Sequence, residues 1–255
     1  MPTVLKKRPI ISSALIIILA LSMSSNVQAL ERFPPLRVAV AANFLMPMEE
    51  IRRVFTGETG IELQIIAGST GKLYAQIKHS APFDLFLAAD TKRPRLLFEQ
   101  GLVDKPINYA KGMVYLWSTE KIDAVNWQEA LKQIRTAKVA IPSPDTAPYG
   151  EAARKALHNA RQWVQIENNL VYGQSVAQAF QFGVSGGVKA AFVSASYALS
   201  EQGRKGSSWL VSEAGKVNQA ACLILKSNYP ERATRFLSFT TSMKVQPILQ
   251  RYGYQ

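Results

Sequence analysis

The sequence predicts an α/β protein in which a mainly parallel sheet is flanked by helices, and three observations predict it. Strand-like and helix-like patterns alternate from Leu36 onward, as expected when parallel strands are joined by crossover helices. No repeat, low-complexity tract or long linker interrupts the series. The chain has 255 residues, which suits one large domain or two lobes of about 100 residues each.

The elements follow in order. Lys6, Lys7 and Arg8 precede an apolar run from Ala14 to Leu21, and Val27-Gln28-Ala29 follows. A positive start, a short apolar core and small residues at the −3 and −1 positions read as a secretory signal peptide over residues 1–29, cleaved after Ala29. The run is too short for a spanning helix. Leu36 to Ala41 is a β-branched and apolar strand pattern, and Leu45, Met48, Ile51, Val54 and Phe55 then recur at helical spacing. Ile61 to Ala67 returns to strand character, a helix runs from Gly71 to His79, Asp84 to Ala88 is a short apolar strand, and Thr91 to Gln100 is a polar helix.

A second series begins near Met113. It reads as a strand Val114 to Trp117, a helix Trp127 to Ile134, a strand Lys138 to Ile141 and a helix opening after Pro148-Tyr149-Gly150. Val164 to Val171 continues as a strand pattern, followed by a helix from Ser175 to Phe182 and a strand from Ala190 to Val193. The chain closes with a strand Ala220 to Leu225 and a helix Pro230 to Ser242.

In open parallel sheets ligands sit beyond the strand C-termini, where helix N-termini gather. Four strand-to-helix junctions are rich in small or donor-bearing residues: Val38 to Pro47, Gly68-Ser69-Thr70-Gly71, Pro144 to Gly150, and Tyr172 to Val176. Asn43 reads as an N-cap, with Pro47 tolerated in the first helical turn. "AGSTGKLYAQI" (residues 67–77) superficially suggests a nucleotide loop, but Gly68 and Gly71 are too close for a Walker motif and Leu73 follows Lys72. It reads instead as a helix entrance able to meet an anion, with Lys72 a solvated first-turn lysine.

The bulk chemistry excludes several classes. The formal net charge is +12, with basic residues spread along the chain and no basic cluster interleaved with aromatics, which argues against nucleic acid. The sole cysteine, Cys222, lies in the apolar run Ala220 to Leu225 and reads as core. His79 and His158 are far apart and no zinc-type spacing exists. A Gly-x-Ser-x-Gly elbow is also missing, so a secreted hydrolase lacks support. A ferric-ion binder would want adjacent tyrosines and acidic ligands, and neither arrangement is evident.

With these junctions in hand, the sequence resembles the periplasmic molybdate-binding proteins, the substrate-capturing components of an ABC importer. "VAVAANFLMPMEEI", "GSTGKLYAQI" and "APFDLFLAADTKRP" carry the likeness at the N-terminal end, and "VAIPSPDTAPYGEAA", "VYGQSVAQAF" and "ILQRYGY" extend it over the mature chain. The resemblance implies a two-lobed, type II periplasmic-binding-protein fold. One lobe comprises residues 30–112 and 218–255, the other 113–217, and two crossover strands form the hinge. It implies oxyanion ligation by Asn43 and Thr70 from the first lobe and by Tyr149 and Val176 from the second, with Ala42 and Ser69 flanking them. Some members bring a Tyr hydroxyl to the ligand where this chain has Ser194. The implied protein is a monomeric binding protein rather than an enzyme. It has no cofactor, molybdate or tungstate as its ligand and an inner-membrane ABC permease as its partner. Molybdate is fully deprotonated at neutral pH, so its site should present only donors. Sulfate or phosphate is the alternative ligand, and Asp145, the only acid near a junction, is what a protonated phosphate would use.

Overall fold

The computed structural model describes Thr3 and residues 33–255; the expected signal peptide and its cleavage point lie outside the described residues. Residues from Pro35 onward form one compact unit. Its strands are β1 (Leu36–Ala41), β2 (Leu63–Gly68), β3 (Leu85–Leu87), β4 (Ile107–Ser118), β5 (Val139–Pro142), β6 (Leu170–Gly173), β7 (Ala190–Ser194), β8 (Ser207–Leu210) and β9 (Lys216–Leu223). Its helices are α1 (Leu45–Thr59), α2 (Thr70–Lys78), α3 (Lys92–Glu99), α4 (Trp127–Gln133), α5 (Pro148–Asn159), α6 (Trp163–Ile166), α7 (Val176–Val184), α8 (Ala195–Ala198), α9 (Pro230–Thr240) and α10 (Gln246–Arg251).

The strand order is β2-β1-β3-β9-β4-β7-β5-β6, with β8 added alongside β4. β2, β1 and β3 are parallel to one another, as are β6, β5 and β7. β9 and β4 join the two parallel sets through antiparallel pairings. This is a two-lobed fold in which β4 and β9 pass between the lobes as the hinge. Within the first lobe the pleat sends Leu36, Val38 and Val40 to one face, packed with Met48, Ile51 and Phe55 of α1 and Phe236 of α9. It sends Ala39 and Phe86 to the other face, with Leu73 and Ile77 of α2, Leu97 and Cys222. Each of the large side chains removed from water here contributes about 1.5–3 kcal/mol. The second lobe is built around Val114, Leu116, Trp117, Ile141, Phe180 and Phe192.

The alternation of elements is as expected, but α8 and α10 stand where no helix was expected, and further differences follow. The strand expected at Val114 to Trp117 is the second half of a 12-residue strand. Its first half, which includes Asn108 and Lys111, is held as a strand by pairing with β9 and, at Lys111, by reciprocal backbone bonds with Gln255 (2.9 and 3.0 Å). The region from Val164 is helical before it becomes β6. Val164 is 77% exposed and Ile166 1% exposed, a contrast that a strand, which puts residues two apart on one face, does not produce. Asn43 is not a cap. The chain tightens into a 3-10 turn over Ala42–Phe44 with Ala41 as its N-cap, so Asn43 already lies inside the turn. The short strand β8, unmarked by any clear sequence pattern, pairs with the far half of β4.

Candidate functional site

In the first lobe Ala41 pairs with Gly68, and in the second Pro142 pairs with Gly173. These in-register strand ends bring the following turns level with one another. Ala42, Asn43, Ser69, Thr70, Tyr149 and Val176, all six residues singled out from sequence, line one small cavity, together with Ala41, Ala89, Ala147, Pro148 and Ser175. Ala41, Ala89, Ala147, Pro148 and Ser175 escaped the sequence reading as lining residues. All but Ala89 stand in the quoted junctions, and Ala89 follows the third strand in "APFDLFLAADTKRP".

Each junction arrives as the start of a helical turn. Thr70 and Val176 are the first residues of α2 and α7, and Tyr149 is the second residue of α5, after Pro148. The first N–H groups of a helix have no acceptor within it and sit at the positive end of its dipole. Ser69 and Ser175 are the N-caps, accepting from Lys72 N (3.4 Å) and Gln178 N (3.3 Å). Thr70 Oγ1 accepts from Ala89 N at 3.0 Å. A hydroxyl that accepts an N–H still carries its own proton, so these three hydroxyls are held in place with a donor to give.

Two side chains expected to donate to a ligand do something else. Asn43 Nδ2 donates to Gln219 Oε1 (2.8 Å) and to Tyr254 Oη (3.0 Å), which uses both protons of its amide. Tyr149 Oη accepts from Gln219 Nε2 at 3.3 Å. Gln219 Oε1 also receives Tyr109 Oη at 3.0 Å. Tyr254 Oη and Ser196 Oγ donate to the Asn43 carbonyl at 2.7 and 2.6 Å. Asn43, Ser196 and Gln219 are each no more than 1% exposed. Burial pushes the hydroxyls of Tyr149 and Tyr109 well above the ordinary tyrosine range and that of Tyr254 up to about 12, so these groups stay neutral and protonated at physiological pH. The cluster sits against Gly112 of β4, where a Cβ would lie 1.9 Å from Tyr149 Oη and 2.8 Å from Gln219 Nε2. A side chain there would force the Tyr149 and Gln219 side chains to shift.

Ser194 shares a hydrogen bond of 2.8 Å with Ser196 Oγ; it belongs to this hinge cluster and does not line the cavity. Asp145 also stays out of the cavity. Its side chain is 85% exposed and lies 3.8 Å from Arg154. Among the described residues no charged side chain lines the cavity. Lys72 is exposed, as expected, but its Nζ bonds Gln174 of the other lobe.

The cavity is ringed by the starts of helical turns from both lobes. Comparison with known proteins places the chain: residues 36–255 match the family described as bacterial extracellular solute-binding protein. The chain belongs to that family. It is 34% identical over 220 residues to the molybdate-binding protein ModA of Rhodobacter capsulatus, covering 85% of this chain and 86% of that one. It is 33% identical over 223 residues to ModA of Azotobacter vinelandii, covering 86% and 88%. The solved structure of the Azotobacter vinelandii periplasmic molybdate-binding protein superposes with a TM-score of 0.81 at 29% identity, over 86% of this chain and 98% of that one. Like other solute-binding proteins, this chain has the two-lobed, type II fold expected from its sequence, and among the described residues no helix is long and apolar enough to cross a membrane.

Proposed function

We propose that this solute-binding protein captures molybdate, and tungstate with it, in the periplasm and delivers it as a monomer to an inner-membrane ABC permease. The observation that carries this reading is the convergence of four helical turns on one cavity lined by donors and free of carboxylates. A tetrahedral dianion has only acceptors to offer, and backbone N–H groups at helix N-termini meet it without a buried countercharge. In this reading the N–H groups of Asn43, Thr70, Tyr149 and Val176 and the hydroxyls of Ser69 and Thr70 hold the oxygens, with Ala42 beside them. Asn43 and Tyr149 act through their backbones because their side-chain polar atoms bond within the hinge cluster. Residues 30–112 with 218–255 form the lobe that contributes Asn43 and Thr70, and 113–217 the lobe that contributes Tyr149 and Val176. A phosphate that retains a proton finds no carboxylate acceptor in the cavity among the described residues, since Asp145 faces solvent.

Isothermal titration of the mature protein with molybdate, tungstate, sulfate and phosphate tests the assignment. Molybdate and tungstate should bind, and phosphate should give little heat. Because ligand binds the folded state alone, molybdate should also raise the melting temperature. Absence of both heat and thermal shift at millimolar molybdate would sink the assignment.

A further inference from the structure

At the cavity rim the two lobes are joined by a direct backbone bond. Gly71 N donates to Thr146 O at 2.8 Å. Gly71 is the second residue of α2, so its N–H has no acceptor inside the helix; it finds one in the opposite lobe. The approach is closer than any side chain permits. A Cβ on Gly71 would lie 2.9 Å from both Thr146 Cα and Thr146 O and 3.2 Å from Thr146 Cβ. The first two are backbone atoms, which cannot swing aside as a flexible side chain can. Two further contacts cross the same rim. Arg93 Nη2 donates to the Asp145 carbonyl at 2.9 Å while the Arg93 backbone N–H is held by Asp90 Oδ1 at 2.9 Å, and Lys72 Nζ reaches Gln174 Oε1.

We infer that Gly71 is the closure-determining residue of this protein: its bare backbone, set against Thr146, lets the lobes meet and retain the anion, with Arg93 as a secondary latch. The inference rests on the oxyanion-capture reading above. A ligand held between two lobes is released when they part, so its apparent affinity scales with the closed population. Any side chain at position 71 holds the rim open and lowers that population without touching a group that lines the cavity.

The test is Gly71→Ala, with Arg93→Ala as a milder second variant, measured by molybdate titration and by small-angle scattering of the molybdate-saturated protein. Gly71→Ala should raise the molybdate Kd by about tenfold or more, and Arg93→Ala by about threefold. The saturated Gly71→Ala protein should show a larger radius of gyration than the saturated wild type. Alanine is the better helix former and the glycine has no left-handed φ to lose, so the ligand-free melting temperature should hold or rise. A structural role in folding would lower it instead. Wild-type and Gly71→Ala affinities within twofold of each other, or an affinity loss matched by a fall in ligand-free stability, would overturn the latch. Failure of the wild type itself to bind molybdate would remove the capture reading and is a distinct result.

Discussion

The cavity and the hinge cluster behind it both hold buried polar side chains, and two residues, Asn43 and Tyr149, belong to both. On the cavity side the hydroxyls of Ser69, Thr70 and Ser175 each accept one backbone N–H and keep a proton in hand. On the hinge side Gln219 takes two donors on its oxygen and donates from its nitrogen to Tyr149, and Tyr254 and Ser196 close on the Asn43 carbonyl. A surface of open donors suits an incoming anion, and a closed network suits a joint that keeps its shape while the lobes move around it. A polar residue in such a protein therefore has no single meaning. Its role depends on whether its partners are already inside the fold.

The contrast predicts that hinge substitutions act on stability and cavity substitutions act on binding. The largest effect is expected at Gly112: Gly112→Ala drives a Cβ into Tyr149 Oη and should cost about 3 kcal/mol of unfolding free energy in denaturant titration, since overpacking of a tight site forces neighbouring groups to move. Gln219→Leu takes an acceptor from the buried amide of Asn43, while the Tyr109 hydroxyl keeps the Ala88 carbonyl at 3.2 Å, and should cost about 1–3 kcal/mol by the same measurement. If its principal effect were instead on molybdate affinity, with stability intact, the division between hinge and cavity would fail. Thr70→Ala removes a cavity donor and should weaken molybdate binding by about 1–3 kcal/mol in calorimetry, with a smaller change in unfolding free energy than Gln219→Leu.

The smallest effects concern pH. Since no charged side chain lines the cavity among the described residues, molybdate affinity should stay level between about pH 6 and 9, where the dianion and its hydroxyl donors keep their protonation states. The hinge responds at alkaline pH only. Tyr149, Tyr109 and Tyr254 have hydroxyls raised by burial above the ordinary value of 10.0, Tyr254 to about 12. Unfolded tyrosines lose protons first, so stability is fully present below about pH 10 and falls as pH rises toward 12. Denaturation midpoints that were flat across that window would remove burial of these hydroxyls as a feature of the folded state.

Much of this was legible in the chain alone. Strand and helix periods mark the α/β class, and "GSTGKL" and "DTAPYGEAA" mark helix starts by small, hydroxyl and proline residues whose preferences are local. Tyr109, Gly112, Gln219 and Tyr254 carry no local signature, although "ILQRYGY" lies within the resemblance. Their role depends on β4, β9 and the C-terminus meeting at one point, through contacts such as Asn43 with Tyr254 that are separated by 211 positions. The sequence by itself determined where α2, α5 and α7 begin, and so where their unpaired N–H groups and hydroxyl donors lie, because capping is decided within a few residues. Only the tertiary structure decided which way Asn43 and Tyr149 present their polar atoms and how closely Gly71 meets Thr146, because an amide, a hydroxyl or a missing Cβ takes its meaning from partners that folding brings near.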